Sequence, residues 1–401
     1  MVQVTTRLEE QRAFSLWLDL FRWMAAVAVL LGHIHHRVFI HFGDVPAGER
    51  SIAFTLISLA SSIGPAGVII FFVLSGFLVG GTSLAKYEQN KFDLLDYSVA
   101  RMARLWTVLL PALCFTAVLL VTVHLYRGQS LSTFDLNPAG MACNALFLQT
   151  AFCGQYGDNG ALWSLFNEAW YYVAWPFVMV ALYGVGHSLR TRVLVALPAF
   201  FLMAGLSAAQ FIGSSIGMYF GLWLLGVAVA RINRPWIKLS ALPSAGIFLA
   251  CLLAWRILHK SEVQGSDLMH EFPVDLLLAL GFANLLSALK VRTTVAPPLG
   301  ALHTRLADFS FSLYCIHTPV LNFLLAMMAL SVPSLATPMS PQPVAGYLIY
   351  GGLLVGSMAI AYLFYLATER HTYTVRRLVI GYLRGKQGAD GRRATAETLA
   401  G

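Results

Sequence analysis

The stretch LDLFRWMAAVAVLLGHIHH, residues 18–36, is mostly apolar but carries Arg22 and His33 within the apolar run. An ionisable side chain at mid-membrane depth costs roughly 2.5 to 3.5 kcal/mol unless a partner offsets the cost. On a helix, eleven steps of about 100° return within roughly 20° of the starting direction, so both side chains share one face, about 16 Å apart along the axis. A cation and a titratable base are therefore expected to line one wall.

The composition identifies the class of protein. The chain has 401 residues, of which 58% are hydrophobic and 11% charged, and its mean hydropathy is +0.68. Soluble domains use roughly half apolar and about one quarter charged residues. The chain is therefore predicted to be an integral membrane protein, an all-α polytopic bundle of transmembrane helices.

Ten apolar runs have the length that crosses a bilayer core as a helix. The predicted spans are 14–35, 53–80, 105–125, 164–185, 193–210, 214–231, 241–258, 273–290, 308–330 and 344–367. The last residues are polar and rich in Gly and Ala, which is typical of disordered tails. We therefore predict a membrane domain of residues 1–370 and a largely disordered cytoplasmic tail of residues 371–401.

The lysines and arginines predict the orientation, because cytoplasmic loops of membrane proteins are enriched in both. With the N-terminus inside, 21 of the 27 face the cytoplasm, five face outward and Arg22 lies within a span. The outward five are Arg37, Arg50, Arg127, Arg256 and Lys260. Both termini of this multi-pass protein are therefore predicted to be cytoplasmic. The same bias accounts for the net charge of +8, so no nucleic-acid partner is expected.

His33 is the first candidate for catalysis, since histidine titrates near neutrality and takes up a hydroxyl proton when another group fixes its tautomer. The topology places Glu168, at the outer start of the predicted fourth helix, near the depth of His33. Glu168 is either the partner of His33 or a helix-start acid stabilised by the macrodipole. A metal site is disfavoured, because the nearby histidines at i and i+2 diverge on a helix and no acidic pair is near. These histidines are His35, His36 and His41.

The second candidate site is a group of arginines at the cytoplasmic ends of the helices. Arg101 and Arg104 are three residues apart on one helix face, and two such cations suit phosphate groups. The alternative is that they are ordinary residues of a cytoplasmic loop. Arg22 would be the third member, unless it forms only a local ion pair with Asp19.

Two other segments each allow two interpretations. In LADFSFSLYCIHTPVLNF, residues 306–323, Ser310, Tyr314 and His317 share one helix face and either line the bundle or join helices through hydrogen bonds. Cys143 and Cys153 lie in a predicted outer segment. They either form a disulfide in an oxidising compartment or remain two partly buried thiols.

Taken in order, these motifs resemble the integral-membrane acyltransferase family 3, over nearly the whole chain. The matching stretches are Arg22 followed after ten residues by His33, FFVLSGF at 71–77, the Arg101/Arg104 pair, WSLFNE at 163–168 and FSLYCIHTPV at 311–320. The chain departs from the usual pattern at Leu20, at Trp23, in RLWT at 104–107 and after Glu369. The first two positions usually carry a glycine and a small residue, and a proline usually follows the position of Glu369.

The resemblance implies transfer of an acyl group, commonly acetyl, from acyl-CoA or a related donor to a hydroxyl of a glycan, exopolysaccharide or glycolipid at the cytoplasmic (inner) membrane. His33 would be the base or the acyl carrier, and Glu168 would support it. The donor would be bound by Arg22, Arg101 and Arg104, without a metal. The expected partners are acyl-CoA, a free or lipid-linked glycan and membrane lipid, and the oligomeric state stays open.

Two alternatives to glycan acylation stay open. The first keeps the chemistry but uses an intracellular small molecule as the acceptor. The second is a transporter or flippase, which also needs intramembrane charges but predicts internal repeats or interrupted helices in matching halves. The sequence contains no convincing repeat of this kind, which favours catalysis.

Overall fold

The computed structural model describes residues 2–129, 136–184, 186–210, 216–259, 268–292, 295–342 and 344–385. Within these ranges the α-helices are α1 (Val2–Val38), α2 (Ile52–Ser61), α3 (Gly64–Ser75), α4 (Gly81–Glu88), α5 (Leu94–Tyr126), α6 (Pro138–Ala145), α7 (Trp163–Tyr183), α8 (Leu189–Ala209), α9 (Ile216–Arg231), α10 (Ala241–Leu258), α11 (Leu268–Arg292), α12 (Gly300–Asp308), α13 (Ser310–Ser331), α14 (Val344–Ala367) and α15 (372 to 385). A π-helical segment, Gly76–Gly80, joins α3 to α4. The described ranges form no β-sheet, only isolated bridges.

The ten predicted spans all coincide with helices of this structure. Eight described helical spans are long and apolar enough to cross a membrane. Of the other two, α9 is apolar but has 16 residues, and α7 carries the polar residues Asn167 and Glu168. The predicted all-α polytopic bundle is confirmed. Four cations used to predict the orientation lie outside the described residues: Lys260, Lys386, Arg392 and Arg393.

Helix α1 lies at the centre of the bundle, in contact with α2, α3, α11, α12, α13 and α14. Its buried apolar side chains include Ala26, Leu30 and Ile34. Gly32 lets the backbone of α1 approach the end of α2, since a Cβ there would lie 3.0 Å from the carbonyl oxygen of Ser61. Arg22 and His33 on α1 are therefore partly covered by the neighbouring helices.

The π-helical segment packs backbone to backbone against α9. A Cβ added at Gly76 would overlap the carbonyl group of Trp223, and one added at Gly226 would overlap the backbone carbonyl of Val73. The close approach brings Nε1 of Trp223 within 3.1 Å of the Ser75 hydroxyl, to which it donates. Glycine at these two positions thus fixes the place of Ser75 in the bundle.

Helix α15 falls within the predicted disordered tail. Nη2 of Arg376 lies 2.8 and 2.9 Å from the two carboxylate oxygens of Asp96, and Nη2 of Arg384 lies 2.8 Å from Oδ2 of Asp93. Asp93 also caps α5 by accepting from the backbone N–H of Asp96, and this bond holds the pKa of Asp93 below its ordinary value. These ion pairs dock residues 372–385 as a helix, so the prediction of disorder does not hold there. Residues 386–401 lie outside the described residues.

Replacement of Gly76 tests the close approach of the π-helical segment to α9. Gly76→Ala should destabilise the protein by about 1–3 kcal/mol, because the new Cβ must displace the backbone of Trp223. Gly221→Ala is the control, since a Cβ added at this position of α9 has nothing within 4 Å. Thermal unfolding of the detergent-solubilised protein measures both variants. Equal melting temperatures would contradict the packing.

Candidate active site

Two cavities lie on either side of a wall formed by Val68, Phe72 and Tyr314. The arginine cavity has a volume of about 610 Å³ and includes Arg22. The histidine cavity has a volume of about 760 Å³ and includes His33. The three wall residues line both cavities. Arg22 and His33, which the sequence places on one face of α1, thus line two different cavities. The two cavities meet at the wall.

The arginine cavity brings together the three predicted donor-binding residues, Arg22, Arg101 and Arg104. Arg104 already has a strong partner, because its Nη1 lies 2.5 Å from Oε1 of Glu369. The other oxygen, Oε2, accepts from the backbone N–H of Ser312 at 2.9 Å and from its hydroxyl at 2.7 Å. Arg104 is therefore held in a buried network, and its charge is balanced by Glu369.

The other two predicted residues, Arg22 and Arg101, differ in how far nearby carboxylates balance their charge. Nη1 of Arg22 lies 3.7 Å from Oδ1 of Asp19, so the local ion pair is formed but exceeds hydrogen-bond distance. Arg101 forms no ion pair with a described residue, its Nε is buried without a partner there, and its guanidinium lies 5.9 Å from the Tyr172 ring. Of the three predicted donor-binding residues, Arg101 is thus the cation most available to an anionic ligand.

The acidic side of the arginine cavity consists of Glu168, Glu369 and Asp308, the last residue of α12. Five arginines line the same cavity: Arg22, Arg101, Arg104, Arg370 and Arg376. The cations outnumber the carboxylates, so the cavity as a whole is electropositive.

Glu168 lies in the arginine cavity and not beside His33. Its Oε1 accepts a hydrogen bond from the Ser75 hydroxyl at 2.7 Å and another from the Tyr172 hydroxyl. Sequence reasoning placed Glu168 near the outer boundary because it assumed that the fourth span starts at the membrane surface. The structure keeps Glu168 and His33 apart and gives the carboxylate two neutral donors instead.

Helix α7 starts deep in the protein because a proline in α13 frees a carbonyl group there. Pro319 has no N–H to donate to the carbonyl of Cys315, four residues earlier in α13. The side chain of Asn159, just before α7, takes that place with a 2.7 Å hydrogen bond to the Cys315 oxygen. Asn159, Ala161 and Leu162, just before Trp163, are therefore buried. The second turn of α7 then places Glu168 in the arginine cavity.

His33 and His317 form a pair with complementary tautomers, their ring centroids 5.0 Å apart. Nη1 of Arg37 donates to Nδ1 of His33 at 3.3 Å, so the neutral His33 ring carries its proton on Nε2. Nδ1 of His317 donates to the carbonyls of Leu313 and Tyr314 at 3.1 and 2.8 Å, so its lone pair is on Nε2. That Nε2 is buried without a partner among the described residues. The pair thus offers one N–H and one open lone pair.

The remaining candidates of the outer segment have structural partners. Nε2 of His35 lies 2.9 Å from the hydroxyl of Ser58, and both side chains are buried. No three His, Cys, Asp or Glu side chains within the described ranges lie close enough together to hold a metal ion. Cys143 and Cys153 form a disulfide, which ties α6 to the turn at residue 153.

Comparison with known proteins agrees with the motifs. A family model described as an acyltransferase domain matches residues 15–366. The chain belongs to this acyltransferase family. A protein of Bacillus subtilis named "Putative peptidoglycan O-acetyltransferase YrhL" is 32% identical over 146 residues, which cover 33% of the chain and 22% of that protein. An uncharacterized protein of Haemophilus influenzae is 26% identical over 143 residues, covering 34% of the chain and 58% of that protein. The chain thus matches less than two thirds of either relative, and no solved structure matches.

Several residues of this member of the family have contacts that the sequence did not predict. Ser75 lies in FFVLSGF, which the sequence singles out only for its family pattern, but its hydroxyl donates to Glu168. Arg37 was counted only as an outward cation, but it holds the ring of His33. Glu369 was noted only as a departure from the family pattern, although a buried carboxylate in an apolar context is itself a signal of a partner.

Arg101 and Arg104 should respond differently to replacement. Arg104→Ala should destabilise the protein by about 3–5 kcal/mol, because the Glu369 carboxylate, whose side chain is 2% exposed, loses its cation. Arg101→Ala leaves no buried carboxylate unpaired and should unfold close to the wild-type temperature. Thermal unfolding in detergent compares them, with Arg104→Lys as the variant that keeps the charge. A lower melting temperature for Arg101→Ala than for Arg104→Ala would contradict this assignment.

Proposed function

We propose that the protein is a membrane O-acyltransferase that moves an acyl group, in the simplest case acetyl, from acyl-CoA to a hydroxyl of a glycan or glycolipid. The observation that carries the proposal is the pair of cavities that share one wall, with arginines in the first and a histidine pair beside the second. An anionic donor and a hydroxyl acceptor need different surroundings, and each cavity suits one of them.

The donor is proposed to place its phosphates in the arginine cavity. Guanidinium groups bind phosphate through paired N–H donors. Arg101 has no ion pair with a described residue and would make the main contact, while Arg22 adds charge and Arg104 shapes the site through Glu369. The charge bias of the loops favours a cytoplasmic position for this cavity, the compartment that supplies acyl-CoA.

Glu168 is proposed to contact the donor instead of orienting His33. The hydroxyls of Ser75 and Tyr172 hold its Oε1, which leaves the carboxylate fixed in the arginine cavity. A carboxylate accepts up to about four hydrogen bonds, so it can also accept from the amide N–H groups of the pantetheine arm. In this position Glu168 would align the arm on its way to the wall.

The reaction is proposed to occur at the histidine side of the wall, where the thioester meets the acceptor hydroxyl. The hydroxyl proton passes to Nδ1 of His33, which Arg37 releases, and the Nε2 proton of His33 passes to Nε2 of His317. The hydroxyl oxygen bonds to the thioester carbonyl carbon, and the carbon–sulfur bond then breaks. The proton on Nε2 of His317 then returns to Nε2 of His33, which gives its Nδ1 proton to the CoA thiolate. Both rings recover their starting tautomers, and the products are an ester and free CoA.

The acceptor is proposed to be a glycan outside the cytoplasm. His33 lies toward the opposite end of α1 from Arg22, about 16 Å along the helix axis. The name of the Bacillus subtilis relative specifies peptidoglycan for that protein, which supports a glycan for this chain. With both termini inside and an export side for the product, the cytoplasmic membrane is the proposed location.

Replacement of either histidine should stop acyl transfer without weakening the binding of the donor. We expect His33→Ala and His317→Ala each to lower the turnover number by about 100-fold or more, the usual share of general-base catalysis, at an unchanged KM for acyl-CoA. The measurement is transfer of labelled acetyl from acetyl-CoA to glycan by the purified protein. His187→Ala, an exposed histidine far from both cavities, is the control.

The same assay separates the proposal from its rivals. A transporter would move substrate without any labelled ester forming in the wild type. An intracellular acceptor would become labelled in inside-out vesicles without export of the product. Wild-type turnover in His33→Ala would remove the catalytic role of the pair.

In the proposed reaction the acyl group crosses the wall, so a larger side chain at Val68 should block its passage. Val68→Trp should abolish transfer while acetyl-CoA still binds, because the indole fills the passage between the cavities. Overpacking costs about 1–3 kcal/mol, so the melting temperature is measured alongside. Val68→Ala widens the passage and should retain transfer. Full transfer by a folded Val68→Trp protein would show that the acyl group does not cross this wall.

A further inference from the structure

A second polar group lines the histidine cavity and takes no part in the proton transfer proposed above. It consists of Tyr219 of α9, Trp255 of α10, Asp275 of α11 and His259 just after α10, and is named the Asp275 cluster. Asp275 is 2% exposed. Its Oδ2 accepts from the Tyr219 hydroxyl at 2.9 Å, and its Oδ1 accepts from Nε1 of Trp255 at 2.8 Å.

The carboxylate of Asp275 is only partly satisfied by these contacts. Tyr219 and Trp255 are neutral donors, and no lysine or arginine of the described ranges pairs with the carboxylate. An ionisable group at membrane depth is costly and is found where a ligand or an ion passes. A carboxylate accepts about four hydrogen bonds and two are used here, so the cavity side has room for O–H or N–H donors of a ligand.

His259 has a buried nitrogen atom, without a hydrogen bond to any described residue, close to the Asp275 carboxylate. Its Nδ1 lies 3.9 Å from Oδ1 of Asp275 and is buried without a hydrogen-bond partner among the described residues. Its ring stacks on Trp255, with centroids 4.4 Å apart, which fixes the ring plane. A buried polar atom left unpaired in the protein costs free energy that a bound ligand can recover.

Aromatic rings surround the same part of the cavity. The Tyr219 ring lies 5.5 Å from that of Phe72 and 5.8 Å from that of Trp163, which is only half-buried. Flat apolar rings beside a few fixed hydrogen-bonding groups are what a hydroxylated ring needs, since its C–H faces pack on aromatic surface while its edges carry donors. A volume of about 760 Å³ is enough for such a ligand together with the reacting end of the donor.

We propose that the Asp275 cluster is the acceptor subsite, and that it binds a neutral sugar ring through hydrogen bonds from two ring hydroxyls to Asp275. The proposal rests on the proposed function, which places the acceptor in the histidine cavity. Because the cluster and His33 line the same cavity, a ring held at Asp275 presents its far edge to His33. The charge of the carboxylate selects neutral rings over uronic acids and phosphorylated sugars.

Binding of a neutral oligosaccharide without catalysis tests the subsite. The probe is the β-linked trimer of N-acetylglucosamine, and its binding to the full chain in detergent is followed by tryptophan fluorescence. The background is His33→Ala without CoA, so that transfer plays no part. We expect Asp275→Asn to weaken binding by about tenfold or more, since a charged acceptor of the sugar hydroxyls is lost. Tyr219→Phe, which keeps the ring but loses the hydroxyl that holds Asp275, should weaken it less.

The matched control is Glu88→Gln, which removes an acid that pairs with Arg231 away from the cavity and should leave binding unchanged. In the transfer assay, Tyr219→Phe should raise the KM for the sugar and leave the KM for acetyl-CoA as it is. A trimer that fails to bind, or that binds Asp275→Asn as well as the parent, would overturn the subsite. Preference for the galacturonic acid trimer over the neutral one would overturn its charge selectivity.

The two proposals fail separately. If the wild type binds the trimer through Asp275 but forms no ester from acetyl-CoA, the proposed function fails and the subsite stands. If the wild type forms the ester while Asp275→Asn, at a wild-type melting temperature, keeps both its sugar affinity and its sugar KM, the subsite fails and the proposed function stands.

Discussion

The missing N–H of Pro319 organises the centre of this protein. It leaves the carbonyl of Cys315 without a helical partner, and Asn159 donates to that oxygen at 2.7 Å. In a membrane an unsatisfied carbonyl is costly, so the chain before α7 is drawn into the bundle and not left at the surface. One turn away on α13, Tyr314 contributes to the wall and His317 stands beside His33. A single proline thus sets the depth of Glu168 and the position of the wall.

A second constraint is the buried Glu369 carboxylate, which gives Arg104 a different role from Arg101 and Arg22. Glu369 joins Arg104 of α5 to Ser312 of α13 directly after α14, so three membrane segments meet at one carboxylate. A buried carboxylate needs these partners, and Arg104 is committed to it. The proposed donor binding therefore falls to Arg101 and Arg22, although the sequence alone does not distinguish Arg101 from Arg104. The two histidines beside the histidine cavity also differ in their contacts. Arg37 donates to Nδ1 of His33, whereas Nε2 of His317 has no partner among the described residues.

Much of the fold could be predicted because it depends on local pattern. The ten apolar runs coincide with helices, and helical spacing correctly grouped Arg101 with Arg104. The contact partners could not be predicted, since they depend on which helices meet. The position of Glu168 was missed because the fourth span starts inside the protein, which requires knowing that Asn159 binds the Cys315 carbonyl. Asp275 and Glu369 were missed because single acids near the ends of apolar runs look like loop residues, and α15 was missed because its ion pairs to Asp93 and Asp96 lie about 280 positions away in sequence.

In the proposed function, the wall between the cavities would let the acyl group react without opening a path for water across the membrane. A continuous polar passage from Arg101 to His33 would let water and protons cross, and the thioester would be exposed to hydrolysis. Val68 and Phe72 are apolar, and the Tyr314 hydroxyl is engaged by the Ala161 carbonyl and the Ser164 hydroxyl, so the wall offers water few free hydrogen-bonding groups. An acyl group with its thioester is itself largely apolar and can occupy such a constriction, whereas the phosphates of CoA cannot. In the proposed function the wall would therefore let the acyl group pass, and the arginines would retain the phosphates of the donor.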